Sequence, residues 1–345
     1  MLNSRPIRFG LIGTGAIARS HAAALQTTAG ALLSAVADIN LDAARAFGAD
    51  HECPAYGSLS ELLANVHVEA VIVCTPPDTH CALAIEAADA GVHILCEKPL
   101  ALDLEHARTM LDAAARAGVL LTMATKFRYV SDIIKLRNMI QLGVLGDIVS
   151  VANAFKSPVD MAGRWNADRR RSGGGVLIDN GTHSVDIVRY LVGPIDRIFV
   201  EEGPRSQHLG VEETVHVAML AAGGTKATVD LSWSEQSASP YYLEVEGTRG
   251  RISLGWKQSM YQLSSDSAAK PFGPGYDKIA AFAGQLRNVV DVLCGQDTVE
   301  VGHADALASV AVISAAYAAL ASADWTTVEG VARVNPRQAA LAVVS

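Results

Sequence analysis

The sequence predicts an α/β protein in two parts. Residues 1–125 read as a doubly wound parallel sheet, and residues 126–345 as an α/β domain on a large, mostly antiparallel sheet. Three observations carry this. Apolar runs alternate with helical patterns through the first third. A glycine turn, Gly13-Thr14-Gly15, joins the first run to the first helix. Beyond about residue 195 the chain turns to short strands separated by glycine turns.

In the first part, strands are expected at 7–12, 32–37, 70–74, 92–96 and 119–124, with helices at 17–27, 41–47, 60–64, 80–90 and 104–117. Strand cores this apolar, joined through helices, imply a parallel sheet covered on both faces. Right-handed crossovers make it doubly wound, with the ligand crevice at the C-terminal strand ends. Gly91 and Gly118 stand just past helix ends, where a C-cap is expected. From Lys126 the rhythm changes. A helix at 131–141 precedes a strand at 148–155 and an arginine-rich loop at 157–172. Gly173-Gly174-Gly175 opens a helix running to Leu191. Strands follow at 197–201, 214–220, 225–233, 242–247 and 250–254, with hairpin turns at Gly223-Gly224 and Thr248–Gly250. Helices at 277–294 and 304–323 close the pattern, and the tail from Thr326 reads as a strand or short helix.

Half of the 345 residues are hydrophobic and 19% are charged, as in a soluble globular chain. The net charge of −8 disfavours nucleic acid or an anionic membrane as partner. The five cysteines are scattered and lack a C-x-x-C pair, which fits free thiols in a reducing cytoplasm. The first residues, MLNSRPIRF, carry no apolar stretch of signal-peptide length. Residues 306–323 run without a charge, but they are mostly alanine and serine, and a buried packing helix is expected.

Four stretches carry chemistry. In the glycine turn, Gly13 permits the tight bend, Gly15 lets the backbone approach a pyrophosphate, and Ala18 is the small residue where helix meets strand. The helix start offers free N–H groups and a positive dipole end to phosphate. Asp38, ending the second strand, can accept hydrogen bonds from ribose hydroxyls, and its charge favours NAD over NADP. Arg45, further along, is the one feature favouring a 2′-phosphate.

Second, Cys74-Thr75-Pro76-Pro77-Asp78-Thr79-His80 ends a strand at the crevice edge. It reads equally as a cofactor edge and as a turn capped by Asp78 or Thr79. Third, Lys98, in Cys96-Glu97-Lys98-Pro99, is placed either to donate to a substrate oxygen or to stand exposed before a helix. Fourth, Asp179 and His183 share a helix face behind three glycines, which suit a close backbone approach to a ligand. A histidine beside a carboxylate is suited to general-base work, or has a structural role. Asp179, His183 and Asp186 are possible metal ligands, but no second histidine stands at a ligand spacing, and no metal is expected.

These stretches, in this order, resemble the Gfo/Idh/MocA family of nicotinamide-dependent oxidoreductases. The resemblance rests on GTGAIA (Gly13, Thr14, Gly15, Ala16, Ile17, Ala18), CTPPDTH, CEKPLA and SGGGVLIDNGTHSVDIV, with KFRY (Lys126 to Tyr129) and QLGVLGDI leading into the second domain. It implies a Rossmann domain followed by an open-sheet domain commonly used to form dimers or tetramers. It implies that Lys98 is the catalytic lysine, Asp179 the substrate-orienting aspartate and His183 the acid/base histidine. Thr75, Pro76, Pro77, His80, Glu97 and Lys98 would line the cofactor with Gly13, Gly15, Ala16, Ile17 and Asp38. Lys126, which stands where many relatives carry Asn or another polar residue, and Arg128 would meet the substrate; Trp165 suits a sugar face, or else belongs to a solvated or subunit-contact loop.

The expected reaction is transfer of a hydride between NAD and a hydroxyl or ketone carbon of a sugar, cyclic polyol or derivative. Two relatives of other classes stand beside it: an NAD-dependent redox-assisted glycoside hydrolase and a non-catalytic sugar sensor. Intact Lys98, Asp179 and His183 argue against the sensor. The basic loop containing Arg164, Arg169, Arg170 and Arg171 suits an anionic substrate group, or else a solvated or subunit-contact surface.

Overall fold

The structure, a computed structural model, describes residues 5–329. It divides into two compact units. Among the described residues, the first comprises those up to Val130 together with Asp277–Leu307, and the second comprises Ser131–Tyr276 and those from Ala308.

The first unit alternates strand and helix: β1 (Ile7–Ile12), α1 (Ala16–Thr27), β2 (Ala31–Ala37), α2 (Leu41–Asp50), β3 (Ala55–Tyr56), α3 (Leu59–Asn65), β4 (Ala70–Val73), α4 (His80–Asp89), β5 (His93–Glu97), α5 (Leu104–Ala117) and β6 (Leu121–Ala124). The strands pair in parallel in the order β3-β2-β1-β4-β5-β6. This is the Rossmann order, whose direction reverses between β1 and β4, so the crevice opens past Ile12 and Val73. Strand β3 has no counterpart among the expected strands, because two residues carry no periodicity. Local chemistry accounts for the helix ends. Asn40, Ser58 and Asp103 cap α2, α3 and α5 with their side chains, and Gly118 ends α5 in the left-handed conformation.

The second unit contains α6 (Ser131–Gln141), β7 (Ile148–Lys156), α7 (Arg169–Ser172), α8 (Val176–Val192), β8 (Ile195–Glu202), β9 (Thr214–Ala221), β10 (Lys226–Ser232), β11 (Tyr241–Gly247), β12 (Gly250–Gly255), β13 (Ser259–Leu263) and β14 (Lys270–Gly273). The chain then forms α9 (Lys278–Leu293), α10 (His303–Ser322) and the short β15 (Thr326–Thr327). The sheet runs β14-β13-β12-β11-β7-β10-β9-β8-β15. Its pairs are antiparallel except β7 with β10, which the excursion through α8, β8 and β9 brings side by side in parallel. One sheet face is apolar, with Val151, Val217, Met219, Val229 and Leu231 buried, and α8 packs on it. On the other face Ala152, His216, Lys226, Thr228 and Glu244 are exposed, the alternation expected of a sheet covered on one side.

The division differs from a single cut at residue 125. Helix α9 belongs to the first unit, where Phe282, Leu286, Val289 and Val290 join the core around Phe9, Leu25 and Phe47. Periodicity identifies an apolar helix face but does not say which sheet the face covers. The charge-free helix α10 is long and apolar enough to cross a membrane by length and composition. In the structure Ala308, Val312, Ala316 and Ala319 are buried within the protein.

Because α9 completes the first unit's core, Phe282→Ala is expected to destabilise that unit by about 3–5 kcal/mol. Urea unfolding followed by circular dichroism checks this; a loss below about 1 kcal/mol would detach α9 from the core.

Candidate active site

Two sets of side chains stand out, one in each unit. The first surrounds the glycine turn. Gly13 has φ +87°, and a β-carbon there would lie 2.9 Å from the Thr75 side chain and 3.0 Å from the Cys74–Thr75 backbone. Any other residue would strain the turn and push β1 from the end of β4. Gly15 is different: it is exposed, and its β-carbon would meet no protein atom within 4 Å. It is the N-cap of α1, no side chain caps that end, and the first turn holds no acid. The first amides of α1 are therefore left for an anion. Ala18 is fully buried where α1 meets the sheet.

The Asp38 carboxylate is fixed from two sides. Thr14 donates its backbone N–H and its hydroxyl to Oδ2, at 2.8 and 2.9 Å, and the Asn40 N–H donates to Oδ1 at 2.9 Å. Ile39 beside it is 93% exposed, an apolar surface next to the helix start. Arg45 is exposed and pairs with Asp42. These residues fit a dinucleotide: open amides for the pyrophosphate, an oriented carboxylate for a ribose, and Ile39 against a base.

The next two strand ends are tied together by His80. This ring is fully buried. Its Nε2 faces the Thr75 carbonyl at 2.9 Å and its Nδ1 the Pro99 carbonyl at 3.0 Å. His80 thus joins the β4 edge to the β5 edge and does not line a ligand, a correction to its expected cofactor contact. Thr79 holds the N-cap position of α4, yet its hydroxyl bonds Thr75 and Pro76 instead of capping. Thr75 and Pro76 are half-exposed at the edge, whereas Pro77 is buried.

Glu97 is likewise turned into the protein. Its Oε1 accepts from His21 Nε2 at 2.8 Å, and its Oε2 from the Lys98 N–H at 3.1 Å. Burial pushes the Glu97 carboxyl up, but the hydrogen bond and charge of His21 and the Lys126 and Lys98 cations outweigh it and hold the group below the usual carboxylate range. His21 packs edge-on against Phe282, and the Lys126 ammonium lies 5.6 Å from the same ring's centre. Lys98 and Lys126 are half-exposed around this buried carboxylate. Arg128 is not available to a substrate. It is 4% exposed and donates to the Glu300 carbonyl at 3.0 Å and to Asp305 at 3.1 Å.

The second set lies on α8. Asp179 is half-buried and His183 is 7% exposed, one turn further on; Asp186 is buried. Among the described residues, no group of three His, Cys, Asp or Glu is placed to hold a metal. The glycines before α8 have a role other than the one expected. A β-carbon on Gly174 would lie 1.8 Å from the Tyr317 hydroxyl, and one on Gly175 2.0 Å from the Glu212 carbonyl. They admit protein, not ligand. Trp165 is 37% exposed in a short turn, near Arg164, Arg169 and Arg170, also exposed. The roles of Thr14, His21, Ile39, Glu212 and Tyr317 are not among those the sequence predicts. The partners of His21 and Tyr317 stand 76 and 105 residues away, beyond any local pattern.

Comparison with known proteins agrees. Residues 7–125 match the profile of an oxidoreductase family with an NAD-binding Rossmann fold, Gfo/Idh/MocA, and residues 133–253 match that family's C-terminal domain. The chain belongs to the Gfo/Idh/MocA family. It is 31% identical to the oxidoreductase ORF334 of Rhizobium meliloti over 82% of this chain and 84% of that one. It is 29% identical to an inositol 2-dehydrogenase of the same species, over 71% and 74%. Among solved structures, the WlbA dehydrogenase of Bordetella pertussis, in complex with NADH and UDP-GlcNAcA, superposes with a TM-score of 0.83 at 25% identity, covering 95% of this chain and 99% of that one. Membership in the Gfo/Idh/MocA family makes the first unit an NAD-binding domain, as the open α1 amides and fixed Asp38 indicated.

Buried His80 and half-buried His93 give a pH dependence. Burial pushes His80 below its usual range, against the pull of the facing carbonyls and Glu97, and burial also lowers His93. A lowered folded value means that the unfolded chain takes up the proton first. Stability is therefore lost as pH falls below about 6.5. Glu97, held low, keeps its contribution until more acid pH and adds to the loss there. Calorimetry between about pH 5 and 8 is expected to show the midpoint falling toward acid, less steeply in His80→Gln. An unchanged slope in that variant would assign the loss to other groups.

Proposed function

We propose that the protein is an NAD-dependent dehydrogenase that oxidises a secondary hydroxyl of a sugar, cyclic polyol or derivative, or reduces the matching ketone. The observation that carries this reading is the Asp179–His183 pair, a carboxylate and an imidazole one helical turn apart in an NAD-binding oxidoreductase. The inositol 2-dehydrogenase relative, and a Bacillus subtilis glucose-6-phosphate 3-dehydrogenase 34% identical over 204 residues, support a polyhydroxylated substrate.

In this reading His183 accepts the hydroxyl proton as general base and Asp179 orients the hydroxyl or the imidazole. Lys98, the expected catalytic lysine, is a hydrogen-bond donor suited to a substrate oxygen on which charge develops. Glu97, anchored by His21, supplies the fixed negative charge beside the Lys98 ammonium. NAD, when bound, accepts the hydride and supplies the redox chemistry. The α1 amides behind Gly13, Gly15, Ala16 and Ile17 would hold the pyrophosphate and Asp38 the adenosine ribose, and Thr75 and Pro76 would form part of the cofactor edge. Trp165 is a candidate platform for a sugar face. The five free cysteines accord with a reducing, cytoplasmic setting. The sheet face bearing His216, Thr228 and Glu244 is the candidate surface for a homo-oligomer.

Lys98→Ala and His183→Ala are each expected to lower kcat by about a hundredfold or more while NADH binding, followed by fluorescence, stays within about twofold. Unchanged turnover in both removes them from the reaction. The substrate follows from screening polyols and sugars for NADH absorbance; release of free sugar without net NADH would favour a hydrolase instead. Asp38 sets the dinucleotide preference, because its carboxylate repels a 2′-phosphate. Asp38→Ser is expected to shift the NAD/NADP ratio of kcat/KM toward NADP by about tenfold or more, and a wild-type preference for NADP would overturn this assignment.

A further inference from the structure

The start of α8 has no cap of its own. Its N-cap residue is Gly175, which has no side chain to accept from the first-turn amides. A helix end buried in this way needs acceptors from elsewhere. Glu212 supplies them, 37 residues later in sequence. Its side-chain Oε1 accepts from Gly175 N–H at 2.8 Å and Leu177 N–H at 3.2 Å, and its backbone carbonyl accepts from Val176 N–H at 3.0 Å. The same Oε1 accepts from the Tyr317 hydroxyl, on α10, at 2.7 Å. The carboxylate is buried, with Glu212 only 5% exposed.

The fit leaves no slack. Tyr317 occupies the space of a β-carbon on Gly174, and the Glu212 carbonyl that of one on Gly175. Ser172 closes the turn from the other side, its hydroxyl donating to the Gly174 carbonyl at 2.6 Å. The neighbouring Glu213 does a separate job, accepting from the Ser206 and Gln207 N–H groups and holding that loop. A carboxylate at a helix N-terminus gains from the helix dipole and from charge-assisted bonds to the amides. These interactions also fix how far α8 advances and how it is rotated. Each residue turns a helix by about 100°, so a slip of one residue at Val176 would carry Asp179 and His183 to another side.

We propose that Glu212 and Tyr317 are positioning residues for the Asp179–His183 pair: together they clamp the first turn of α8, and the glycines at 174 and 175 exist to admit them. Neither touches the reacting atoms. The proposal rests on the assignment of Asp179 and His183 to proton handling, and the test separates the two.

The test uses the full-length protein carrying Glu212→Gln or Tyr317→Phe, with myo-inositol and NAD as probes. In both variants NADH binding is expected to stay within about twofold. Glu212→Gln is expected to lower kcat by about ten- to a hundredfold with a smaller change in KM, and Tyr317→Phe by a lesser factor. Hydrogen exchange in the protein alone reads the clamp directly. The amides of Gly175 and Leu177 are expected to exchange faster in Glu212→Gln. Faster exchange with unchanged kcat overturns the positioning role, and unchanged exchange overturns the clamp. If the wild type does not turn over myo-inositol, the polyol or sugar found by the NADH screen replaces it as probe; if no polyol or sugar is turned over, the proposed function is at fault and exchange alone decides the clamp. If Glu212→Gln does not fold, Tyr317→Phe carries the test, and unchanged kcat with unchanged exchange overturns the proposal.

Discussion

The structure of the first unit depends on one close approach, that of Gly13 to the end of β4. A β-carbon at Gly13 would stand 2.9 Å from Thr75, and its φ of +87° lies where only glycine is unstrained. The approach sits where the parallel sheet reverses its strand order. It brings the start of α1, the Asp38 carboxylate and the Thr75–Pro76 edge around one crevice. Each of these does something different: α1 leaves its amides open, Thr14 and Asn40 fix Asp38, and His80 ties the β4 edge to the β5 edge.

Buried carboxylates recur as organising charges. Glu97 is held by His21 and faces two lysines. Glu212 collects three donors at the start of α8. Burying an ionised carboxylate is costly unless it is hydrogen-bonded or paired, and both are. Each stands next in the chain or at the helix start to residues expected to handle protons: Glu97 precedes Lys98, and Glu212 caps the helix that carries Asp179 and His183. The arrangement matches a general feature of active sites, in which the groups behind the reacting residues set their geometry.

Much of this was legible in the sequence. The strand–glycine–helix opening, the acid after the second strand and the Asp179–His183 spacing are local patterns, and the described residues carry the first unit's helices and all but its shortest strand where periodicity placed them. Other readings followed the residue type without its environment. Arg128 was expected to meet the substrate from the family resemblance; it is buried and bonded to Glu300 and Asp305. His80 looked like a cofactor contact because its motif ends at the crevice; its ring is turned between two carbonyls. Glycines 173–175 looked like a ligand cradle, but two of the three make room for Tyr317 and Glu212.

By itself the sequence determined what depends on short range. Period, turn chemistry and the order of motifs specify a parallel α/β unit followed by a largely antiparallel one, and they name the residues proposed to bind a dinucleotide and move a proton. Only the tertiary structure decided which distant groups meet. It assigned α9 to the first core, set His21 against Glu97 across 76 positions, and brought Glu212 and Tyr317 to the first turn of α8. The reason is physical. A helix or strand announces its own apolar face through local spacing, whereas the partner that satisfies a buried polar group is chosen by the packing of the whole chain.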